Sequence, residues 1–253
     1  MIFSLKKIEL FSIPFPIVKK GDNIAELIVK ELIDNNIRIQ DGDIFVIAHT
    51  IISRAEGNEY YLPSISPSFL AEIISRKTGK DPSLVQLILN ESSSLEKVQN
   101  RIIISKHRLG WISANAAVDQ SNSLPNHAVT LPTDPEKTAR KIGVYLKSRL
   151  KKTISVLISD THGRALRRGA INIAIGSYNF SVIDEARGRR DIFGNELKST
   201  LVALADEVCS AAELLMGQAD EMSPVVVVRG FNQRSPVSSI YELQYEDNKR
   251  LFK

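Results

Sequence analysis

The sequence carries one cysteine, Cys209, and one tryptophan, Trp111. A single thiol excludes an intramolecular disulfide and any multi-cysteine zinc site. The apolar helical pattern around Cys209 marks it as a core thiol rather than a nucleophile. Trp111 reads as a core residue. No stretch approaches the roughly 18 uninterrupted apolar residues of a membrane-spanning helix. Aromatic residues are 6% of the chain, and neither end carries a run of lysine and arginine. The balance of 33 Lys+Arg against 29 Asp+Glu leaves +4, too weak an excess to imply nucleic acid. There is no Walker loop ending in Gly-Lys-Ser/Thr and no GxGxxG after a strand, so the common phosphate-loop routes are closed. His49, His107, His127 and His162 show neither HExxH nor paired spacing.

What is present is an ordinary globular composition. The 253 residues are 43% hydrophobic and 25% charged, enough for one large domain or two smaller subdomains. The opening MIFSLKKIELFSIPFPIVKK starts like a secretory leader. Lys6, Lys7 and Glu9 interrupt its apolar core, two prolines follow, and no small-residue cleavage site appears. The expectation is a mature N-terminal strand and a cytoplasmic protein.

Residues 1–12 alternate weakly and read as a strand, followed by an extended loop at Pro14 and Pro16. Ile24, Leu27, Ile28 and Leu32 form a helical face with Asp22 as its cap. The apolar run 44–52 reads as one buried strand. Residues 68–78 and 82–92 read as short helices, and 101–105 and 111–118 as strands. Asp134-Pro135 opens a helix to about Leu150, which ends in a basic turn. A buried strand at 153–159 precedes a Gly- and Arg-rich stretch, 163–190. Residues 196–216 read as a long helix and 224–228 as a core strand. The charged tail, 237–253, reads as a short helix or a frayed end. Strands and helices mix without strict alternation, so the fold class is α+β, with mixed sheets and packed helices.

Two acids each follow an apolar run: Asp119 in NAAVDQSN and Asp160 in LISDTHGR. Carboxylates at strand ends sit at the rim of a sheet, where ligands bind. Two brought together repel, and a divalent cation relieves the repulsion. Thr161 adds a hydroxyl oxygen, and hard oxygen donors suit Mg²⁺ or Mn²⁺. The alternative is that both aspartates cap turns. Arg164, Arg167, Arg168, Arg187, Arg189 and Arg190 stand against only Asp184 and Glu185 in the segment 164–190. That pattern is an anion site or a solvated loop with local ion pairs. MGQADEMS, residues 216–223, is a nucleotide loop or a helix cap at Gly217.

Five strings, in order between about residues 10 and 230, carry a resemblance: GDIFVIAHTIISRAEG, NAAVDQSN, LISDTHGRALRRG, GRRDIFGNEL and LLMGQADEMSPVVVVRG. Together they resemble the coenzyme F420-0:γ-glutamyl ligases. The resemblance implies an α+β fold forming an intertwined homodimer. It implies a GTP-dependent ligase, using Mg²⁺ or Mn²⁺ at two sites with K⁺ a further candidate. Such an enzyme joins L-glutamate to coenzyme F420-0 through an acyl phosphate. Carried over by position, Asp119 and Asp160 match the ligands of one metal, and Thr161 and Gln218 those of a second. Pro16, Ile17, Val18, Lys19, His49, Thr50, Arg54 and Asn122 match nucleotide-contacting positions. So does the loop Met216, Gly217, Gln218, Ala219, Asp220, Glu221, Met222 and Ser223. Arg164 and Arg168 are read as holding the anionic groups of the acceptor or of the incoming glutamate.

The chain departs from that pattern at three positions. His49 stands where the family often has serine, Arg54 where it often has lysine, and Ala117 where it has glycine. The competing readings are a two-metal nucleotide phosphohydrolase, a carboxylate–amine ligase for another acceptor, and a nucleic-acid binder using the arginine stretch.

Overall fold

The apolar runs of the sequence become the middle of a five-stranded sheet in the computed structural model, which describes residues 6–233 and 235–250. In chain order the elements are β1 (Glu9–Ile13), α1 (Ile24–Asp34), β2 (Ile44–Ala48), α2 (His49–Glu56), β3 (Glu59–Tyr61), α3 (Phe69–Thr78) and α4 (Pro82–Glu91). There follow β4 (Ser92–Gln99), β5 (Ile102–His107), β6 (Ile112–Ala114), β7 (His127–Val129), α5 (Pro135–Leu150), β8 (Ser155–Gly163) and β9 (Ala170–Tyr178). The chain continues through β10 (Asp184–Glu185), β11 (Leu201–Val202), α6 (Leu204–Met216) and β12 (Val225–Arg229).

The main sheet runs β1-β12-β2-β8-β9. Its one parallel contact is β2 with β8; the other neighbours are antiparallel. Ile44, Phe45, Val46 and Ile47 are all fully buried. Successive strand side chains point to opposite faces, so both faces of the sheet are covered. α5 lies against β8 and β9 with α1 beside it, and α6 crosses β9, β8, β2, β12 and β1. A second apolar core, with Leu62, Ile74, Val85, Ile88, Ile103 and Val118, sits beneath α3, α4 and the three-stranded sheet β4-β5-β6. The architecture is α+β with mixed sheets, as the sequence suggests.

One charged pair ties the sheet at its lower rim. Asp43, just before β2, is buried, and both its carboxylate oxygens accept from Arg229 at the end of β12, at 2.9 and 2.6 Å. The Arg229 guanidinium also donates to the Arg38 carbonyl at 2.8 Å and lies 5.0 Å from the Phe11 ring centroid.

Several boundaries differ from the sequence reading. Asn23, not Asp22, caps α1, accepting from the Ala25 and Glu26 amides at 3.1 and 3.3 Å. Asp22 instead accepts from the Lys19 amide at 2.7 Å, closing the preceding loop. The apolar run 44–52 is not one strand: it breaks at Ala48 and continues as α2 from His49. An unbroken apolar run looks the same for a buried strand and a buried helix turn, so periodicity misses that break. β4 and β9 were not expected, and the second of these lies in the stretch read as Gly- and Arg-rich. α6 begins only at Leu204, leaving Leu197 outside it and Leu201 in β11. Of the N-terminal strand, 9–13 is β1, and residues 1–5 lie outside the described residues. In the tail the short-helix alternative holds: Ile240–Leu243 form a single 3₁₀ turn capped by Ser239. Ile240 is fully buried, Tyr241 meets the Trp111 ring edge-on, and Gln244 donates to the Leu109 carbonyl at 3.0 Å. Cys209 is buried, and burial pushes its thiol pKa up, which keeps it unreactive. Among the described residues no helix is long and apolar enough to cross a membrane.

Candidate active site

Parallel strands bring their C-terminal ends to the same edge of a sheet. β2 and β8 pair up to Ala48 and Ser159. Beyond that point β2 turns into α2, while β8 runs on beside β9. Asp160 and Thr161 therefore lie inside β8 rather than after it, but at the level where their neighbour strand has ended. The β8–β9 register shifts between Ile158 and Ser159, where β9 carries the extra residue, Ile175, so β8 runs through Asp160 and Thr161 without a bulge of its own. Asp160 is buried, 7% exposed, with one carboxylate oxygen 3.1 Å from His49 Nε2 at the first turn of α2.

Asp119 arrives by a different route. β6 ends in a left-handed turn, Asn115, Ala116 and Ala117, with φ of 54, 50 and 55°. Two backbone bonds with Val129 then fix Asp119, at 2.9 and 2.7 Å. Its carboxylate accepts from the Ser121 amide at 2.9 Å and from the Ser121 hydroxyl. A left-handed alanine is strained, by about 1 kcal/mol or more. Ala117→Gly is therefore expected to raise stability by about 1 kcal/mol, read as a melting temperature higher by a few degrees. An unchanged or lower melting temperature contradicts this account of the turn.

Asp119 and Asp160 line the same cleft, of about 310 Å³. Thr161, Gln218, His49, Thr50, Asn122, Ser159, Asn172 and Glu213 line it too. Gln218 Nε2 donates to Thr161 Oγ1 at 3.0 Å and also to Glu213. Asn172 accepts from the Thr161 hydroxyl at 3.0 Å and donates to Glu213 at 2.6 Å. Burial raises the Glu213 carboxyl pKa, the charge of Glu221 adds to the rise, and the bonds from Gln218 and Asn172 oppose it. Glu213 and Asn172 escaped the sequence reading. Glu213 looks like a polar position on a helix, and Asn172 lies on the unforeseen β9.

A wider cleft of about 760 Å³ adjoins the first, and Ala48, Thr50, Asn122, Met216 and Gly217 border both. Pro16, Ile17, Val18, Lys19, Arg54, Ala219, Glu221, Met222 and Ser223 line its walls. Backbone bonds sew these walls together: the Phe15 amide donates to the Met222 carbonyl at 3.0 Å, and the Ala48 amide to the Pro224 carbonyl at 2.9 Å. Gly217 has φ 68° and ψ −175°, a conformation open essentially to glycine alone. Arg54 spans the floor, pairing with Glu59 at 3.4 Å and donating to the Asn122 carbonyl.

Three expected site residues are not among the linings. Asp220 borders neither cleft. Arg164 and Arg168 sit in the β8–β9 hairpin turn, where the Arg164 guanidinium donates to the Gly169 and Arg168 carbonyls at 3.1 and 2.8 Å. Among the other arginines of the stretch, Arg187 pairs with Glu185, Arg189 with Asp184, and Arg190 donates to the Gly194 carbonyl at 2.7 Å. Among the described residues no three His, Cys, Asp or Glu side chains converge as a metal cluster. Three carboxylates, Asp119, Asp160 and Glu213, line the small cleft together with neutral oxygens.

The family described as F420-0:gamma-glutamyl ligase matches residues 12–230, a span that contains every residue of both clefts. The chain belongs to this family. The coenzyme F420:L-glutamate ligase of Methanothermobacter thermautotrophicus is 46% identical over 216 residues, covering 85% of this chain and 86% of that protein. Its counterpart from Methanopyrus kandleri is 43% identical over 220 residues, covering 86% and 85%. That of Methanocaldococcus jannaschii is 42% identical over 234 residues, covering 92% and 91%. The F420-0:gamma-glutamyl ligase match ends at 230, before the tail that packs on Trp111.

Proposed function

We propose that the protein is a GTP- and divalent-metal-dependent ligase that joins L-glutamate to coenzyme F420-0, working as a homodimer in the cytoplasm. Family membership supports the ligation itself. The observation that carries the nucleotide and metal reading is the continuity of the two clefts. One presents Asp119, Asp160, Thr161 and Gln218; the other has the size and mixed lining of a nucleotide site.

A carboxylate is a poor acylating group because its leaving group is oxide. Transfer of the GTP γ-phosphoryl to the acceptor carboxylate gives an acyl phosphate and GDP. The glutamate amine then attacks the acyl carbon, phosphate leaves, and the amine loses a proton as the amide forms. This chain's part is to hold the reactants in line. Ile17, Leu124 and Met222 offer apolar surface to a purine ring, and Lys19 and Arg54 bring positive charge to the wider cleft. Gly217 lets the 216–223 loop approach a phosphate closely.

The oxygen donors fit Mg²⁺ or Mn²⁺: two carboxylates, a hydroxyl and an amide oxygen on one small cleft. Asp119 and Asp160 would hold one cation, Thr161 and Gln218 a second, and K⁺ remains a further candidate. Bound cations neutralise phosphate charge. Gln218 and Thr161 hydrogen-bond each other, so both must turn toward a cation when it binds.

The test is coupling. Purified protein given GTP, Mn²⁺, L-glutamate and F420-0 is expected to release one phosphate per glutamyl unit gained, and to release little without F420-0. Full-rate GTP cleavage without the acceptor selects the phosphohydrolase reading instead.

A further inference from the structure

We propose that His49 is a positioning residue that fixes the Asp160 carboxylate through Nε2, rather than a contact to the nucleotide. The inference rests on the proposed metal-dependent reading and deepens it. His49 lines the smaller cleft but not the wider one. Its ring is buried, 5% exposed, and its Nε2 lies 3.1 Å from Asp160 Oδ1. A carboxylate oxygen only accepts, so Nε2 carries the proton. Nδ1 faces the hydroxyl of Ser53 one helical turn on, at 3.4 Å, and Ser53 is fully buried. Both ring nitrogens therefore have partners, and the ring plane is set from two sides.

The local backbone explains why this residue can do it. His49 opens α2 immediately after β2 ends, and the β2–β8 register puts Ala48 beside Ser159. His49, just past the end of β2, thus lies next to Asp160, which β8 carries one residue beyond its last pair with β2. Oδ1 of Asp160 is held by the imidazole, which leaves the second oxygen as the one presented to the cleft. A buried carboxylate without this bond has several rotamers at similar cost, and a ligand that wanders binds a cation less tightly. Outer partners of this kind typically carry a 10–100-fold effect on metal affinity.

Three substitutions test it, read by calorimetric titration of Mn²⁺ into the full chain with GDP present. Glutamine can place an amide N–H near the position of Nε2; asparagine reaches only the position of Nδ1; leucine offers neither. His49→Leu and His49→Asn are expected to weaken Mn²⁺ binding by about 10–100-fold. His49→Gln is expected to stay within about 3-fold of the wild type, well short of that loss. In turnover assays the first two should raise the Mn²⁺ concentration for half activity while leaving KM for GTP nearly unchanged. Thermal melts of each variant without metal establish that it is folded, and the Gln against Asn contrast stands even if Leu is lost. Equal Mn²⁺ affinity in all four proteins overturns the role of His49 alone. Absence of Mn²⁺ binding by the wild type overturns both this role and the metal-dependent reading. A rise in KM for GTP with unchanged metal affinity returns His49 to the nucleotide.

Discussion

Asp160→Asn is expected to lower the rate of glutamate addition by about 10²–10⁴, with the fold intact. Asparagine keeps the shape of the side chain and an oxygen that accepts from His49, so the 3.1 Å contact survives. What disappears is a full negative charge at a buried position, 7% exposed, in a cleft that Asp119 also lines. Charge removed from so dry a site is not replaced by water. If Asp160 anchors a cation that offsets phosphate charge, the loss falls on the phosphoryl-transfer barrier, and kcat drops more than KM for glutamate rises. Single-turnover measurement of GTP cleavage in the presence of F420-0 separates the steps. An Asp160→Asn enzyme that works at the parent rate removes this residue from the chemistry.

The second large effect is on stability, not rate. Arg229→Met is expected to cost about 3–5 kcal/mol, because it strands the Asp43 carboxylate in a buried setting. Asp43 is 1% exposed and takes both guanidinium bonds, with the Gln40 amide as a third donor at 2.8 Å. For a chain of this size the corresponding fall in melting temperature is on the order of 10 °C. The double variant Asp43→Asn with Arg229→Met should recover part of that loss, since no bare charge then remains buried. Equal destabilisation in the single and double variants contradicts the assignment of the loss to the unpaired carboxylate. The site lies at the opposite end of β2 from His49, so kcat per folded molecule should hold.

The same strand shows what can be read from the chain itself. IFVIA is apolar without interruption, and its burial in the middle of a sheet follows directly. The break at Ala48 does not, because His49 to Ile52 continues the apolar run; only the pairing of β2 with β8 and the bond from the Ala48 amide to Pro224 fix it. β9 hid for a related reason. AINIAIGSY sits beside three arginines and two glycines, and local composition there speaks for a loop. It becomes a strand through the eight residues of β8, Val156 to Gly163, that pair with it. Asp119 and Asp160 were legible as ligand candidates because each follows a buried run. Their sharing of one cleft was not, since β7 and the whole of α5 separate them in the chain. Glu213 and Asn172 had no signal beyond being polar. In the arginine stretch the structure pairs Arg187 with Glu185 and Arg189 with Asp184, while Arg164 and Arg190 donate to main-chain carbonyls, local contacts that composition alone does not reveal.

The most direct test is a crystal grown with Mn²⁺ and GDP and measured at a wavelength where manganese scatters anomalously. The account predicts a peak touching the carboxylates of both Asp119 and Asp160, with the nucleotide phosphates beside it and the base toward Ile17. Manganese held by only one of these aspartates, or a nucleotide seated outside the cleft between Lys19 and Gly217, contradicts it.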